Sequence, residues 1–322
     1  MAETLPRHLL IPFAGRGSPA CRAALPTLRL PNLETLLLRL TLADTDTQDE
    51  STRSPPHERA LARALGIPAA DGCIPWAALE ARRLGIAAAG DTEGWGVVTL
   101  CNWLVGIDDV VLGDPSAIEI DAAESATLLE AARPFFEEDG IALHPSPVPG
   151  RWLARARIFD GLATASIDRA VGWPISQWSP LADAARPLRR LQNEMQMLLY
   201  TQRVNDDRAA RGVPPINSFW LSGTGALTAQ PLPPAASETT VSEALRVAAL
   251  RDDGAGWAAA WQALDANDIA SLLADYTRGA DVSLTLCGDR AAQRYTVQQR
   301  GLSRWAKSLF DRKRAADVLE SL

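Results

Sequence analysis

Residues His8 to Ala14 (H-L-L-I-P-F-A) form an apolar run that breaks off into Gly15-Arg16-Gly17-Ser18-Pro19. A run this short, bounded by glycine and proline, predicts a buried strand that opens into a loop. Behind it, L-P-N-L-E-T-L-L-L-R-L at 30–40 sets leucines 33, 36, 37 and 40 on one helical face, with Asn32 as the expected cap and Pro31 before it. Strand, loop and helix in that order open a parallel α/β unit, because a strand buried on both faces must be covered by helices.

The remaining punctuation supports the same class. Residues 43–56 are polar and rich in breakers, which predicts a surface loop. A second helix is expected from His57, with Leu61 and Leu65 one turn apart and Gly66 as its C-terminal stop. Strands are expected at 94–100, at 110–115 running into a turn, at 151–157, at 219–221 ending in Ser222-Gly223-Thr224-Gly225, and at 282–286 ending in Cys287-Gly288-Asp289-Arg290. Helical periods cover 124–136, stopping at Asp139-Gly140, as well as 257–264 and an amphipathic stretch near 301–320. The clearest helix is 188–199, where residues 188, 191, 195, 198 and 199 recur at three and four. Residues 226–240 read as a linker-like loop, and no internal repeat occurs. A chain of 322 residues is long enough for one large α/β domain or for a core with an inserted lobe.

Charge and cysteine usage exclude several classes. The net charge is −7 and the isoelectric point near 5.1, which argues against a protein that mainly neutralises nucleic-acid phosphates. Cys21, Cys73, Cys101 and Cys287 are far apart with no C-x-x-C, so they are expected as reduced core thiols rather than a zinc or redox pair. No basic region with a long apolar run opens the chain, and no stretch approaches 18 apolar residues, so a cytoplasmic protein without membrane contact is expected.

Few residues carry obvious chemistry. The three histidines, His8, His57 and His144, all lie in the first half, which disfavours any mechanism needing clustered imidazoles. There is no H-E-x-x-H, P-loop, G-x-S-x-G or helix-opening G-x-G-x-x-G. Gly223-Thr224-Gly225 is either an anion-binding loop or a tight turn after a strand. The pairs Asp108-Asp109, Asp206-Asp207 and Asp252-Asp253 are candidate Mg²⁺ or Mn²⁺ ligands on one reading and solvated turns on the other. Asn205 and Arg208 lie in a dense polar run that also holds Gly212 and Asn217, where they either contact a ligand or cap the preceding helix. The ten tryptophans are scattered and expected in cores. Near the C-terminus, Arg300, Arg304, Lys307, Arg312, Lys313 and Arg314 accompany Leu302, Trp305, Leu309 and Phe310, which is either a docking surface for a partner or a packed helix with a solvated basic face.

Several segments together resemble the archaeal-type cofactor-independent phosphoglycerate mutases of the alkaline phosphatase superfamily. L-P-N-L-E-T-L-L at 30–37 is similar to that superfamily's T-P-N-L-x-x-L-A, and L-C-N-W at 100–103 to the mutases' R-C-N-F. The most specific match is V-N-D-D-R-A-A-R-G-V-P-P-I-N-S-F-W-L-S-G-T-G at 204–225, which keeps the Asn, Arg, Gly, Asn, Trp and paired Gly of the mutase pattern at the same spacing. R-R-L-Q-N-E-M-Q-M-L-L-Y-T at 189–201 and S-P-P-H-E-R-A-L-A-R-A-L-G at 54–66 resemble the bacterial RpfE-type regulatory proteins more closely still.

The resemblance implies an α/β fold, with an alkaline-phosphatase-like core of mostly parallel sheet over 1–85 and 205–322 and an inserted α+β lobe over 86–204. In the resembling enzymes two metals activate a Ser nucleophile and are held by an Asp at the end of the first strand and by Asp and His residues in the C-terminal half. Here the first strand runs out in Phe13-Ala14-Gly15-Arg16, no histidine follows His144, and Leu100 stands where the mutases carry Arg. The expectation is therefore a non-catalytic regulatory or interaction protein with no catalytic residue, no metal and no cofactor. A cleft for a small phosphorylated or carboxylated ligand is expected from Arg16, Asn102, Arg151, Asn205, Arg208, Asn217, Ser222, Gly223 and Gly225, with Arg16 placing its charge where a metal would sit. A protein partner is expected through the C-terminal helix. The alternative is a mutase-like or phosphatase-like enzyme whose metal site is rebuilt from scattered Asp and Glu.

Overall fold

The opening apolar run is strand β1 (Arg7–Ile11) in a computed structural model that describes residues 5–180, 183–228, 236–297 and 314–322. Two compact units divide the chain. The first holds residues 1–51, 55–67 and 232–322, and the second 52–54 and 68–231. The second unit is thus larger than the lobe expected at 86–204, because the strand carrying the 218–225 sequence pairs with the strand at 95–101.

In the first unit β1 lies between two parallel neighbours, β9 (Glu238–Val241) and β10 (Val282–Cys287), with Arg7 opposite both Glu238 and Val282. Strands β11 (Ala291–Thr296) and β2 (Thr41–Thr47) extend the sheet antiparallel, giving the order β2-β11-β10-β1-β9. The sheet is therefore mixed, with β11 alone running against the other four strands. The cause is local: Cys287-Gly288-Asp289-Arg290 makes a tight turn, with Gly288 N–H donating to Ala291 O, and a tight turn can join only antiparallel neighbours.

Side chains of β1 alternate between two buried faces. Leu9 and Ile11 join the large core formed by α1 (Pro19–Ala24), α2 (Pro31–Arg39), α11 (Gly254–Leu264) and α12 (Ala270–Thr277), whereas Leu10 meets Ala60 of α3 (Pro56–Ala64) on the other face. Helix α10 (Arg246–Leu250) precedes α11, and α13 (Ala315–Glu320) returns to the same core through Ala315, Val318 and Leu319.

In the second unit the order β6-β7-β3-β8 is antiparallel throughout, from β6 (Ala142–Pro145), β7 (Arg151–Arg155), β3 (Trp95–Cys101) and β8 (Ser218–Gly225). Helices α5 (Ala122–Glu138) and α8 (Arg186–Tyr200) supply Leu128, Phe136, Leu191 and Met195 to its core. Helix α4 (Trp76–Arg83) packs beside β8, and α6 (Ile167–Ala170), α7 (Ile175–Trp178) and α9 (Arg203–Ala210) fill the connections. A separate two-stranded ribbon joins β4 (Trp103–Val105) to β5 (Val110–Leu112).

Four expectations need correction. The loop expected at 43–56 begins with strand β2, whose alternating Thr and Asp suit a polar sheet edge and whose buried Asp46 pairs with Arg59 and Arg63 of α3. Asn32 is not the cap of α2. The buried Asp265 carboxylate accepts the N–H groups of Asn32 and Leu33 instead, a cap supplied from 233 and 232 residues away that no local pattern reveals. The segment Ser222-Gly223-Thr224-Gly225 does not end a strand but continues β8, at a register shift opposite Trp95 and Val97. The loop expected through 240 ends early, because 238–241 are strand β9. The basic stretch of the expected C-terminal helix, 298–313, lies outside the described residues.

Candidate functional site: the carboxyl ends of β1 and β10

In sheets with parallel strands, ligands bind in the crevice beyond the strands' carboxyl ends, where loops leave the sheet with their backbone groups unpaired. The loop after β1 starts with Phe13 in the left-handed region at φ 57°, uncommon for a bulky side chain and costing about 1–3 kcal/mol. Three hydrogen bonds hold it there. Ala14 N–H donates to Cys287 O at 2.7 Å, and the indoles of Trp257 and Trp261 donate to Phe13 O and Ala14 O at 3.0 and 3.2 Å. Helix α11 places both indoles on one face by their i, i+4 spacing.

The strained turn delivers Arg16 to the crevice. Its Nη1 donates to Asp289 Oδ1 at 2.5 Å, Gly17 N–H donates to Asp289 Oδ2 at 2.8 Å, and the guanidinium lies 5.7 Å from the Phe13 ring. His57 packs on the same ring, with centroids 5.2 Å apart. Arg16 Nε is buried without a hydrogen-bond partner among the described residues. A cavity of about 140 Å³ here is lined by Gly15, Arg16, Gly17, Arg22, Asp289 and Leu322, among others.

The last residues form one wall of the crevice. Leu322 O accepts the N–H groups of Arg290 and Ala291 at 3.1 and 2.8 Å. A Cβ on Gly15 would lie 2.2 Å from Leu319 O, and one on Gly288 would lie 2.5 Å from Leu322 Cβ, so both positions must be glycine for this wall to seat. A larger groove of about 850 Å³ shares Arg22, Leu25 and Glu320 with the cavity but faces α2 and lies away from the strand ends.

In the second unit, Asn102, Asn205, Arg208 and Asn217 come together around residues 213–217, where each bonds the chain itself. Arg208 is 1% exposed. It donates to Glu124 Oε2 at 2.7 Å, to Pro214 O at 2.8 Å and to Ile118 O. Glu124 also pairs with Arg211 and forms a capping box with Asp121 at the start of α5. Asn205 brackets Ile216 by donating to Ile216 O and accepting from Ile216 N–H at 2.7 and 2.8 Å, and it donates to Leu199 O at 2.8 Å. Asn217 brackets Trp103 in the same way, and Asn102 donates to Pro215 O at 2.6 Å.

Arg151, Ser222, Gly223 and Gly225 lie elsewhere in that unit. Arg151 pairs with Glu80 of α4 at 2.9 Å, and Ser222 stands opposite Val97. Gly223 and Gly225 have φ of 61° and 143°, and a Cβ on them would approach Trp76 Cβ at 3.1 Å and Cys73 O at 2.9 Å. Between them Thr224 is buried, with Oγ1 donating to Leu162 O at 2.6 Å.

Of the acidic pairs, Asp252-Asp253 and Asp207 find local partners. Asp252 accepts the N–H groups of Ala20 and Cys21 at the start of α1, which holds its carboxyl below the usual range together with a hydrogen bond from Ser18, and Asp253 caps α11 through Gly256 N–H. Asp108 and Asp109 are exposed in the ribbon turn, and Asp207 faces Arg203 at 3.9 Å. All four cysteines are free thiols.

A two-metal centre of the kind the resemblance implies does not fit the residues at the strand ends. Asp289 is paired with a guanidinium, and among the described residues no group of three or more His, Cys, Asp and Glu could hold a metal ion. Sequence reasoning found Arg16 but missed Asp289, although a carboxylate just past a glycine at the end of a buried strand was a readable signal.

No protein-family model matches the chain, and no curated protein does. Among solved structures the chain is similar to a cofactor-independent phosphoglycerate mutase from Thermoplasma acidophilum DSM 1728, at a TM-score of 0.39 and 14% identity over 97% of this chain and 94% of that one. It is also similar to the PH0037 protein from Pyrococcus horikoshii, at a TM-score of 0.45 and 14% identity over 91% and 88%. Neither likeness assigns a role to any residue. Among the described residues no helix is long and apolar enough to cross a membrane.

Proposed function

We propose that this chain is a non-catalytic regulatory or interaction protein of the RpfE kind, cytoplasmic and built on an alkaline-phosphatase-type scaffold related to the phosphoglycerate mutases. Its strand-end crevice takes a small phosphorylated or carboxylated ligand. The observation that carries this reading is the Arg16–Asp289 pair, 2.5 Å apart at the carboxyl ends of neighbouring parallel strands.

The electrostatics decide between ligand types. A divalent cation held about 4 Å from a guanidinium is repelled by about 8 kcal/mol at the effective dielectric of a protein surface, and a single carboxylate already shared with that guanidinium does not offset this. An anion is drawn by Arg16, Arg22 and Arg290, which Glu50, Asp289 and Glu320 on the same lining match in number. Arg16 Nε is a buried donor without a partner and Gly17 N–H is already held by Asp289, so a phosphate or carboxylate oxygen would take the place of the Asp289 carboxylate on Arg16 and Gly17. On this reading Arg16 is the ligand contact, and Asn102, Asn205, Arg208 and Asn217 hold the second unit's backbone in shape.

Titration calorimetry with 3-phosphoglycerate, phosphoenolpyruvate and inorganic phosphate tests the proposal. Heat with at least one of them for the native chain, lost in Arg16→Gln, is the expected result. Absence of heat with all three removes the ligand from the reading.

A further inference from the structure

Away from the crevice, the first unit gathers a second group of basic and polar side chains, on the sheet face that α3 covers. In register, Leu10, Thr285, Arg294 and Asp44 stand opposite one another across β1, β10, β11 and β2, and His8 lies two residues before Leu10 on the same face. Leu10, Cys287 and Ala292 pack against Ala60 of α3. Ala60 and Ala64, one turn apart on α3, are too small to fill the space beside them. A cavity of about 30 Å³ is left, lined by His8, Asp44, Arg63, Thr285 and Arg294 as well as the two alanines and Ala292. It has room for one or two water-sized particles.

Charge selects what enters. Arg59 and Asp46 pair at 2.8 Å just outside the lining, and Arg63 reaches Asp46 at 3.0 Å and Asp44 at 3.8 Å. With Arg294 added, three guanidiniums meet two carboxylates, so one positive charge is in excess. The Arg294 guanidinium itself makes no hydrogen bond or ion pair among the described residues. A metal ion is repelled here and an anion is drawn in.

Hydrogen-bond direction selects the same ligand. Ser237, Thr239, His8 and Thr285 form one row, with successive contacts of 3.2, 3.1 and 2.8 Å, and His8 and Thr285 are only 1% and 3% exposed. A neutral imidazole donates once and accepts once, so the whole row points one way. An anion beside Arg294 sets that direction. Thr285 O–H donates to the anion, His8 Nε2–H to Thr285, Thr239 O–H to Nδ1 and Ser237 O–H to Thr239, and every proton of the row has an acceptor.

We propose that the cavity under α3 is a halide site that takes one chloride between Arg294, Arg63 and the Thr285 hydroxyl. Phosphates and carboxylates carry several heavy atoms each and exceed the space, so the site differs in ligand from the strand-end crevice. The two linings share no residue, and the proposal stands whether or not the crevice binds anything.

Broadening of the chloride magnetic-resonance line by the full chain at neutral pH tests the proposal, with circular dichroism confirming that each variant is folded. The native protein should broaden the line, and bromide should reverse the effect by displacement. Arg294→Gln, a change at an exposed side chain, and Thr285→Val, which keeps the side chain's shape, should each weaken chloride binding tenfold or more. Arg16→Gln should leave it unchanged. A native chain that does not broaden the line, binding that persists in Arg294→Gln or Thr285→Val, or binding that is lost in Arg16→Gln would each overturn the proposal.

Discussion

Arg16 and Arg208 are both arginines that the sequence singles out, one by its place after the first strand and one within the 204–225 run, and both end in a salt bridge, yet their surroundings give them opposite meanings. Arg208 is 1% exposed, and its guanidinium ties α5, α9 and the 213–217 segment together through Glu124 and two backbone carbonyls. Arg16 keeps 21% of its side chain exposed, borders a cavity and has a nitrogen without a partner. A polar motif with preserved spacing can therefore record how a chain is held as readily as what it binds. Burial and hydrogen-bond saturation separate the two cases.

The contrast predicts effects of different size. Arg208→Met should be the most damaging change, destabilising the protein by about 3–5 kcal/mol because it leaves the Glu124 carboxylate buried and partly unpaired. Urea unfolding followed by tryptophan fluorescence measures this. A loss below about 1 kcal/mol would mean that the latch is dispensable and that Arg208 has another task.

The next effect lies in the interior of the first unit. His8 is buried between β9 and β10 with its ring nitrogens on Thr239 and Thr285 hydroxyls, and burial, helped by Arg294, pushes its pKa from 6.5 down to about 4. The folded state thus keeps the ring neutral where the unfolded chain takes a proton. Its contribution is fully present above about pH 6.5 and is lost as pH falls toward 4, by up to about 3 kcal/mol in all. Unfolding midpoints measured from pH 7.5 to 4 should fall accordingly, and the fall should flatten in His8→Asn.

Arg16→Gln should be the mildest. A pair this accessible contributes about 1 kcal/mol or less, so the melting temperature should barely move while anion binding disappears. A large stability loss in this variant would make Arg16 a structural residue like Arg208 and would erase the contrast.

Much of the fold was legible from period and punctuation. The buried run of β3, the three-and-four spacing of α8 and the stop at Gly140 after α5 each reflect a local rule, and each element formed where that rule placed it. What escaped depends on distant partners. Strand β2 exists because β11 offers it an edge, and α2 is capped by Asp265 rather than by Asn32. The candidate site divides in the same way. Arg16 stood out after an apolar run, whereas its partner Asp289 is 273 residues away, and only the pairing of β1 with β10 brings the two together.

The most direct test of the proposed anion crevice is a Mn²⁺ titration of the full chain with 3-phosphoglycerate present, run alongside a coupled mutase assay. The expected result is no Mn²⁺ heat beyond that of a protein-free blank and no turnover above a metal-stripped control. Two equivalents of tightly bound Mn²⁺ with turnover on phosphoglycerate would contradict it.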